Sequence, residues 1–125
     1  MASVLVVDDD ISIKKLMHTA LILIDCQDAI MASTVEDALL EIIRHKPKIL
    51  ILDIYLASPT ITGIDMLKAL RSNEMYKDLF VIIVSGADFI NTEKCLKFGA
   101  NIFLEKPFSP NELQTIVQTQ LAIMQ

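Results

Sequence analysis

Short apolar runs recur along the chain at Val4–Val7, Ala29–Ala32, Ile49–Leu52, Phe80–Val84 and Ile102–Leu104. They are rich in β-branched residues and do not alternate with polar positions, which is how strands covered on both faces read. Between them the apolar spacing lengthens to a helical period. Ile13, Leu16, Met17, Ala20, Leu21 and Ile24 predict one amphipathic helix. Ser33-x-x-Glu36 predicts a capping box ahead of Ala38, Leu39, Ile42 and Ile43, and Thr62-x-x-Asp65 another ahead of Met66, Leu67 and Leu70. Asp88 is placed to cap a helix ending at Gly99, a residue type favoured just past a helix C-terminus. Ser109-Pro110-x-Glu112 joins a capping box to a proline at the first helical position, with Leu113, Ile116, Val117, Leu121 and Met124 as the apolar face behind it.

The order is βα repeated five times. Strands alternating with helices predict an α/β fold, a doubly wound parallel sheet with right-handed crossovers and helices on both faces. In such sheets ligands bind at the carboxyl ends of the strands, where strand order reverses. The 125 residues fit one domain, 1–125, without repeat or linker, and the 53% hydrophobic content is far above that of a disordered chain. A net charge of −5 argues against a nucleic-acid module. Cys26 and Cys95 have no CxxC spacing and read as buried thiols of a reducing compartment. The N-terminus lacks the basic-then-apolar order of a signal peptide, and the apolar runs are far shorter than the roughly 20 residues that cross a bilayer. The expectation is a soluble, cytoplasmic domain with no direct nucleic-acid or membrane partner.

Candidate chemistry collects after the strands. The first is followed by Asp8-Asp9-Asp10, the third by Asp53, the fourth by Ser85-Gly86-Ala87 and the fifth by Lys106-Pro107-Phe108. The second ends in Ser33-Thr34, which reads as a helix cap. Singly, each has a structural explanation: Asp10 caps the next helix, a serine makes a turn, a lysine is a solvated charge. Together they fall on one edge of one sheet. Crowded carboxylates repel one another and call for a cation. A few hard oxygen ligands, with room for water and a phosphate, suit Mg²⁺, and Lys106 adds a fixed positive charge.

These residues resemble the receiver domains of two-component response regulators, such as the chemotaxis response regulator. The resemblance rests on Val7-Asp8-Asp9, Leu52-Asp53-Ile54, Ser85 ending an apolar strand, and Lys106-Pro107-Phe108, in this order on a (βα)5 pattern spanning essentially the whole chain. It implies a flavodoxin-like sheet of strand order 2-1-3-4-5. Asp53 would be the phosphoacceptor. Asp9, Asp53 and the backbone carbonyl of Tyr55 would ligate Mg²⁺ directly, with Asp8 holding it through water. Ser85, Gly86 and Lys106 would bind the phosphoryl group. Ser85 and Phe103 would form the switch that repacks the surface near the fourth helix, fifth strand and fifth helix. The Lys106–Pro107 bond would be cis. Implied partners are a histidine kinase or histidine phosphotransfer protein and a downstream effector protein or domain. Such a domain catalyses only its own phosphorylation and dephosphorylation.

Some positions depart from the family pattern. The stretch from Asp53 to Gly63 is about two residues longer than usual, with Ala57-Ser58 reading as an insertion before Pro59. Ser85 replaces the commoner threonine and Phe103 the commoner tyrosine, and Tyr55 is bulky for its place. A rival reading is a haloacid-dehalogenase-type phosphatase with Asp8 as nucleophile and Asp10 as acid/base. It requires a further acidic metal ligand after the lysine, where only Glu112 stands, and it leaves Asp53 without a role.

Overall fold

Successive residues of a strand point to opposite faces, and here both sets are apolar. Val4 and Val6 of β1 (Val4–Val7) join one core with Ile49, Ile51, Ile82 and Val84, whereas Leu5 and Val7 join a second with Leu50, Leu52, Val81 and Ile83. This burial on both faces explains the continuous apolar runs. The structure, a computed structural model, describes residues 3–56, 61–86 and 89–124. The expected insertion at Ala57-Ser58, with Pro59, the cap at Asp88, and Ala87 lie outside those residues.

The remaining strands are β2 (Ile30–Ala32), β3 (Ile49–Asp53), β4 (Phe80–Ser85) and β5 (Ile102–Glu105), all parallel, in the order β2-β1-β3-β4-β5. The α/β expectation and its strand order hold. α1 (Ile11–Ile22) and α5 (Pro110–Met124) cover one face through Met17, Ala20, Leu21, Leu113 and Val117. α2 (Val35–His45), α3 (Gly63–Arg71) and α4 (Phe89–Lys97) cover the other through Val35, Ala38, Ile42, Met66, Leu67, Leu70 and Cys95.

Asp10 caps α1, its carboxylate accepting from the N–H groups of Ser12 and Ile13. Thr62 and Asp65 form the reciprocal capping box of α3, and Ser109 and Glu112 that of α5. Gly99 lies just past α4 at φ +108°, the left-handed region in which glycine is unstrained. One cap differs from expectation. α2 is capped by Thr34, whose hydroxyl accepts from Asp37 N–H, and not by Ser33. The Ser33 hydroxyl instead accepts a hydrogen bond from Lys14 of α1. Two positions expected on apolar faces are exposed, Leu16 on α1 and Ile43 on α2, and Ile24 lies beyond the end of α1. A short 3₁₀ turn at Glu74–Tyr76, absent from the sequence expectations, is capped by Asn73 and leads into β4.

Gly63 opens α3 against the end of β3. A Cβ there would stand 2.7 Å from the Asp53 carbonyl oxygen and 2.8 Å from Ile54 Cα, both backbone atoms. The helix can start this close only because Gly63 has no side chain. Gly63→Ala is therefore expected to destabilise by about 2–3 kcal/mol, through overpacking that rigid neighbours cannot relieve, measured as a lowered urea midpoint. An unchanged midpoint would show that the two segments part freely.

Candidate functional site

The parallel register assembles the site. Val7 lies beside Leu52, so Asp8 follows β1 next to Asp53; Asp53 lies beside Val84, so Ser85 comes one residue later on β4; and Ser85 lies beside Glu105, so Lys106 comes one residue later again. Four chemical groups thus stand on consecutive steps of the carboxyl edge. Asp8 N–H donates to the Ala32 carbonyl at 3.1 Å, carrying the β1–β2 pairing into the site.

Asp8 and Asp53 are buried and Asp9 is exposed. Carboxylate oxygens of the three lie within 4.8 Å of one another. The Lys106 ammonium donates to Asp53 Oδ2 at 3.0 Å and Asp8 Oδ2 at 3.3 Å. The other oxygens of these carboxylates accept from backbone: Asp8 Oδ1 from Asp10 N–H and Asp53 Oδ1 from Tyr55 N–H, each at 2.9 Å. Both carboxylates are thereby fixed in orientation. Lys106 N–H donates to the Ser85 carbonyl at 2.6 Å, and the Lys106–Pro107 peptide bond is cis.

Burial raises the pKa of Asp8 above the ordinary carboxylate value. The Asp10 N–H and the Lys106 charge oppose that shift, while the neighbouring Asp53 charge adds to it. Burial pulls Lys106 the other way, but its hydrogen bond to Asp53 and the charges of Asp53 and Asp8 outweigh this, and its pKa is raised. Lys106 therefore stays cationic. A carboxyl group whose folded pKa is raised favours the fold most below its unfolded pKa and loses that contribution as pH rises through the folded value. At neutral pH, ionised Asp8 thus opposes folding. Asp8→Asn is expected to raise metal-free stability near pH 7 by on the order of 1 kcal/mol, with the gain vanishing in acid where Asp8 is protonated. Thermal melts with a chelator across pH check this; a lower melting point for the variant at pH 7 would refute it.

Ser85 Oγ is buried with no hydrogen-bond partner among the described residues. A hydroxyl left so loses free energy unless an acceptor arrives. Next to it, a Cβ placed on Gly86 would meet no described atom within 4 Å, which leaves space beside the loop. Phe103 is half-buried, beside Ile83 in the register and packed against the core of the α2–α4 face. Tyr55 is half exposed at the rim. Three carboxylates and one ammonium sum to two negative charges, and the donors are all oxygens. That set fits a hard divalent cation.

Asp8, Asp9, Asp53, Ser85, Gly86 and Lys106, expected on one edge, are brought together there, and Phe103 stands further back on β5. Sequence spacing overlooks two supports. Gly63 serves in it only as a distance marker, yet packs on the Asp53–Ile54 backbone; its signal is a glycine at the first position of a capped helix. Lys14 ties α1 to the end of β2, a contact with no local signal. Glu112, the one acidic group available to a phosphatase reading, is held in the α5 capping box.

The chain is thus a doubly wound sheet carrying an acidic cluster and a lysine at its carboxyl edge. Residues 4–118 match the family described as response regulator receiver domain. The chain is 33% identical over 118 residues to the alkaline phosphatase synthesis transcriptional regulatory protein PhoP of Bacillus subtilis, covering 94% of this chain and 48% of that protein. It is 31% identical over 119 residues to the probable transcriptional regulator ycf27 of Pyropia yezoensis, covering 94% and 46%. Among solved structures, it is similar to the receiver domain of NtrX from Brucella abortus (TM-score 0.84, 28% identity, 95% and 98% covered) and to the chemotaxis response regulator CheY4 of Vibrio cholerae (TM-score 0.82, 28% identity, 95% and 98% covered). The chain belongs to the response regulator receiver family. It spans about half the length of the curated relatives it matches. The match lends no support to the haloacid-dehalogenase-type alternative. Among the described residues, no helix is long and apolar enough to cross a membrane.

Proposed function

We propose that residues 1–125 form one receiver domain that accepts a phosphoryl group on Asp53 from a histidine kinase or histidine phosphotransfer protein, and signals to a downstream effector protein or domain. The observation that carries this is the pairing of buried Asp53 with the Lys106 ammonium at 3.0 Å, beside a buried Ser85 hydroxyl that has no partner among the described residues. In the transfer, an Asp53 carboxylate oxygen bonds to phosphorus, the donor's phosphorus–nitrogen bond breaks, and the released imidazole takes up a proton. Lys106 shifts its hydrogen bonds to the phosphoryl oxygens. Ser85 Oγ gains the acceptor it lacks, and the open space at Gly86 admits the group. Asp8, Asp9, Asp53 and the Tyr55 carbonyl would hold Mg²⁺, Asp8 through water, and the ion would supply charge neutralisation between carboxylate and phosphoryl group.

The product adds about two negative charges at one strand end. Ser85 moves towards them, and Phe103 turns into the space it leaves, repacking the surface of α4, β5 and α5. The buried free thiols of Cys26 and Cys95, both raised in pKa by burial, suit the reducing cytoplasm.

Incubation with acetyl phosphate and Mg²⁺ is expected to add one phosphoryl mass, labile to hydroxylamine and absent with chelator. No mass gain with acetyl phosphate, phosphoramidate or any of a panel of phosphorylated histidine kinases would overturn the reading.

A further inference from the structure

At the opposite edge of the sheet, a groove of about 720 Å³ opens between the end of α2, the loop into β3, the 3₁₀ turn and the end of α5. Its walls include Ile43, Met75, Leu79 and Met124. Ile43 is 65% exposed and Met75 75%, and Leu40, one turn back along α2, is 57% exposed. Ile43 and Met75 thus face water on one groove, and grouped apolar side chains mark an interaction surface better than scattered ones do.

The charge around this groove is not that of the rest of the chain. Lys46 and Lys48 line it, both exposed, and neither joins an ion pair among the described residues. The nearby cations Arg44 and Lys77 are already paired, with Glu41 at 3.2 Å and Glu74 at 3.1 Å. Asp78, exposed and near the Arg71 guanidinium, also lines the groove and joins no ion pair among the described residues. Two lysines against one aspartate thus give this apolar groove a local excess of positive charge on a chain of net charge −5. The backbone that carries one of the lysines is fixed. Lys46 ends α2 at φ 46°, a left-handed position that glycine fills with less strain, its N–H is bonded to the Ile42 carbonyl, and buried Pro47 follows.

We infer that this groove docks an acidic amphipathic segment of a partner protein, its apolar side chains seated between Ile43 and Met75 and its carboxylates against Lys46 and Lys48. The apolar contact supplies most of the affinity and the lysines supply the choice of sign. A second copy docking through the same groove is a poorer occupant, since it would set Lys46 and Lys48 against their own counterparts. The surface lies across the sheet from Asp53, so the inference stands apart from the phosphoacceptor reading.

The probe is a short helical peptide with leucines along one face and glutamates beside them, compared with the same peptide carrying lysines for glutamates. Titration is followed by fluorescence anisotropy and by amide shifts of the whole domain. The acidic peptide is expected to bind at least about tenfold more tightly than the basic one, shifting amides of residues 43, 46, 48 and 75. K46E/K48E should reverse that preference, and Ile43→Ser with Met75→Ser should weaken both peptides. All these side chains are exposed, and unchanged melting points would show that the variants fold. Equal binding of the two peptides, no binding of the acidic one at millimolar concentration, shifts mapping elsewhere, or occupation of the groove by self-association in sedimentation would each overturn the inference.

Discussion

Asp53→Asn is expected to abolish the phosphoryl mass gain altogether. An amide has no anionic oxygen to attack phosphorus, and the lost charge also removes one of the two carboxylates that hold Lys106. The variant should stay folded. The substituted amide still offers an oxygen that can accept from Tyr55 N–H, where the parent bond is 2.9 Å, and Lys106 keeps Asp8. Loss of a step that otherwise runs to completion means a rate fall of at least about a thousandfold, roughly 4 kcal/mol on the barrier. Intact-mass measurement after acetyl phosphate treatment checks it, beside Asp8→Asn as a control. Asp8→Asn should slow the gain without removing it, because under the proposed function Asp8 would hold the metal through water and Asp53 would be the nucleophile. Full labelling of Asp53→Asn, lost instead in Asp8→Asn, would move the nucleophile to Asp8 and revive the phosphatase chemistry.

Much of this frame is legible in the sequence because each strand is buried on both faces. Val4–Val7 and Ile49–Leu52 read as covered strands, and their ends decide where Asp8 and Asp53 fall. The site follows from register: once five parallel strands are ordered, the residues after them must share one edge. What the pattern misses depends on contacts between distant segments. Ser33 and Thr34 are both good caps, and local sequence cannot choose between them; Lys14, from another helix, takes the Ser33 hydroxyl. Ile43 has the period of a core residue, yet α2 ends over an open groove, and the side chain faces water. Gly63 reveals its role only when α3 is seen against the Asp53–Ile54 backbone. The largest omission is Arg71, which ends α3 between Leu70 and Ser72 and looks like any solvated side chain.

Arg71→Ala is expected to cause a loss of stability of about 3–4 kcal/mol, the larger end of single-residue effects. Its guanidinium donates to the carbonyls of Gly99 at 2.9 Å, Tyr76 at 2.7 Å, Lys77 at 3.3 Å and Leu79 at 2.7 Å, and to Asn101 Oδ1 at 2.9 Å. Asn101 Oδ1 in turn accepts from Val81 N–H at 2.8 Å. One side chain thus ties the end of α3 to the 3₁₀ turn, the start of β4 and the turn into β5. Burial lowers the Arg71 pKa and the nearby Asp78 opposes this, but a guanidinium remains charged in proteins. Truncation leaves several carbonyls without their donor at once. Arg71→Lys keeps the charge and separates the two contributions. A single ammonium cannot reach carbonyls spread around a planar fork, so Lys should recover less than half of the lost stability. Urea unfolding gives the order, and hydrogen exchange should show lost protection around residues 79–81 and 99–101 while the amides of β1 keep theirs. Arg71 stands at the far edge of the sheet from Asp53, so acetyl phosphate should still label the folded variant at close to the parent rate. A lysine variant as stable as the parent would reduce Arg71 to its charge, and a labelling rate that falls in step with stability would tie it to the site.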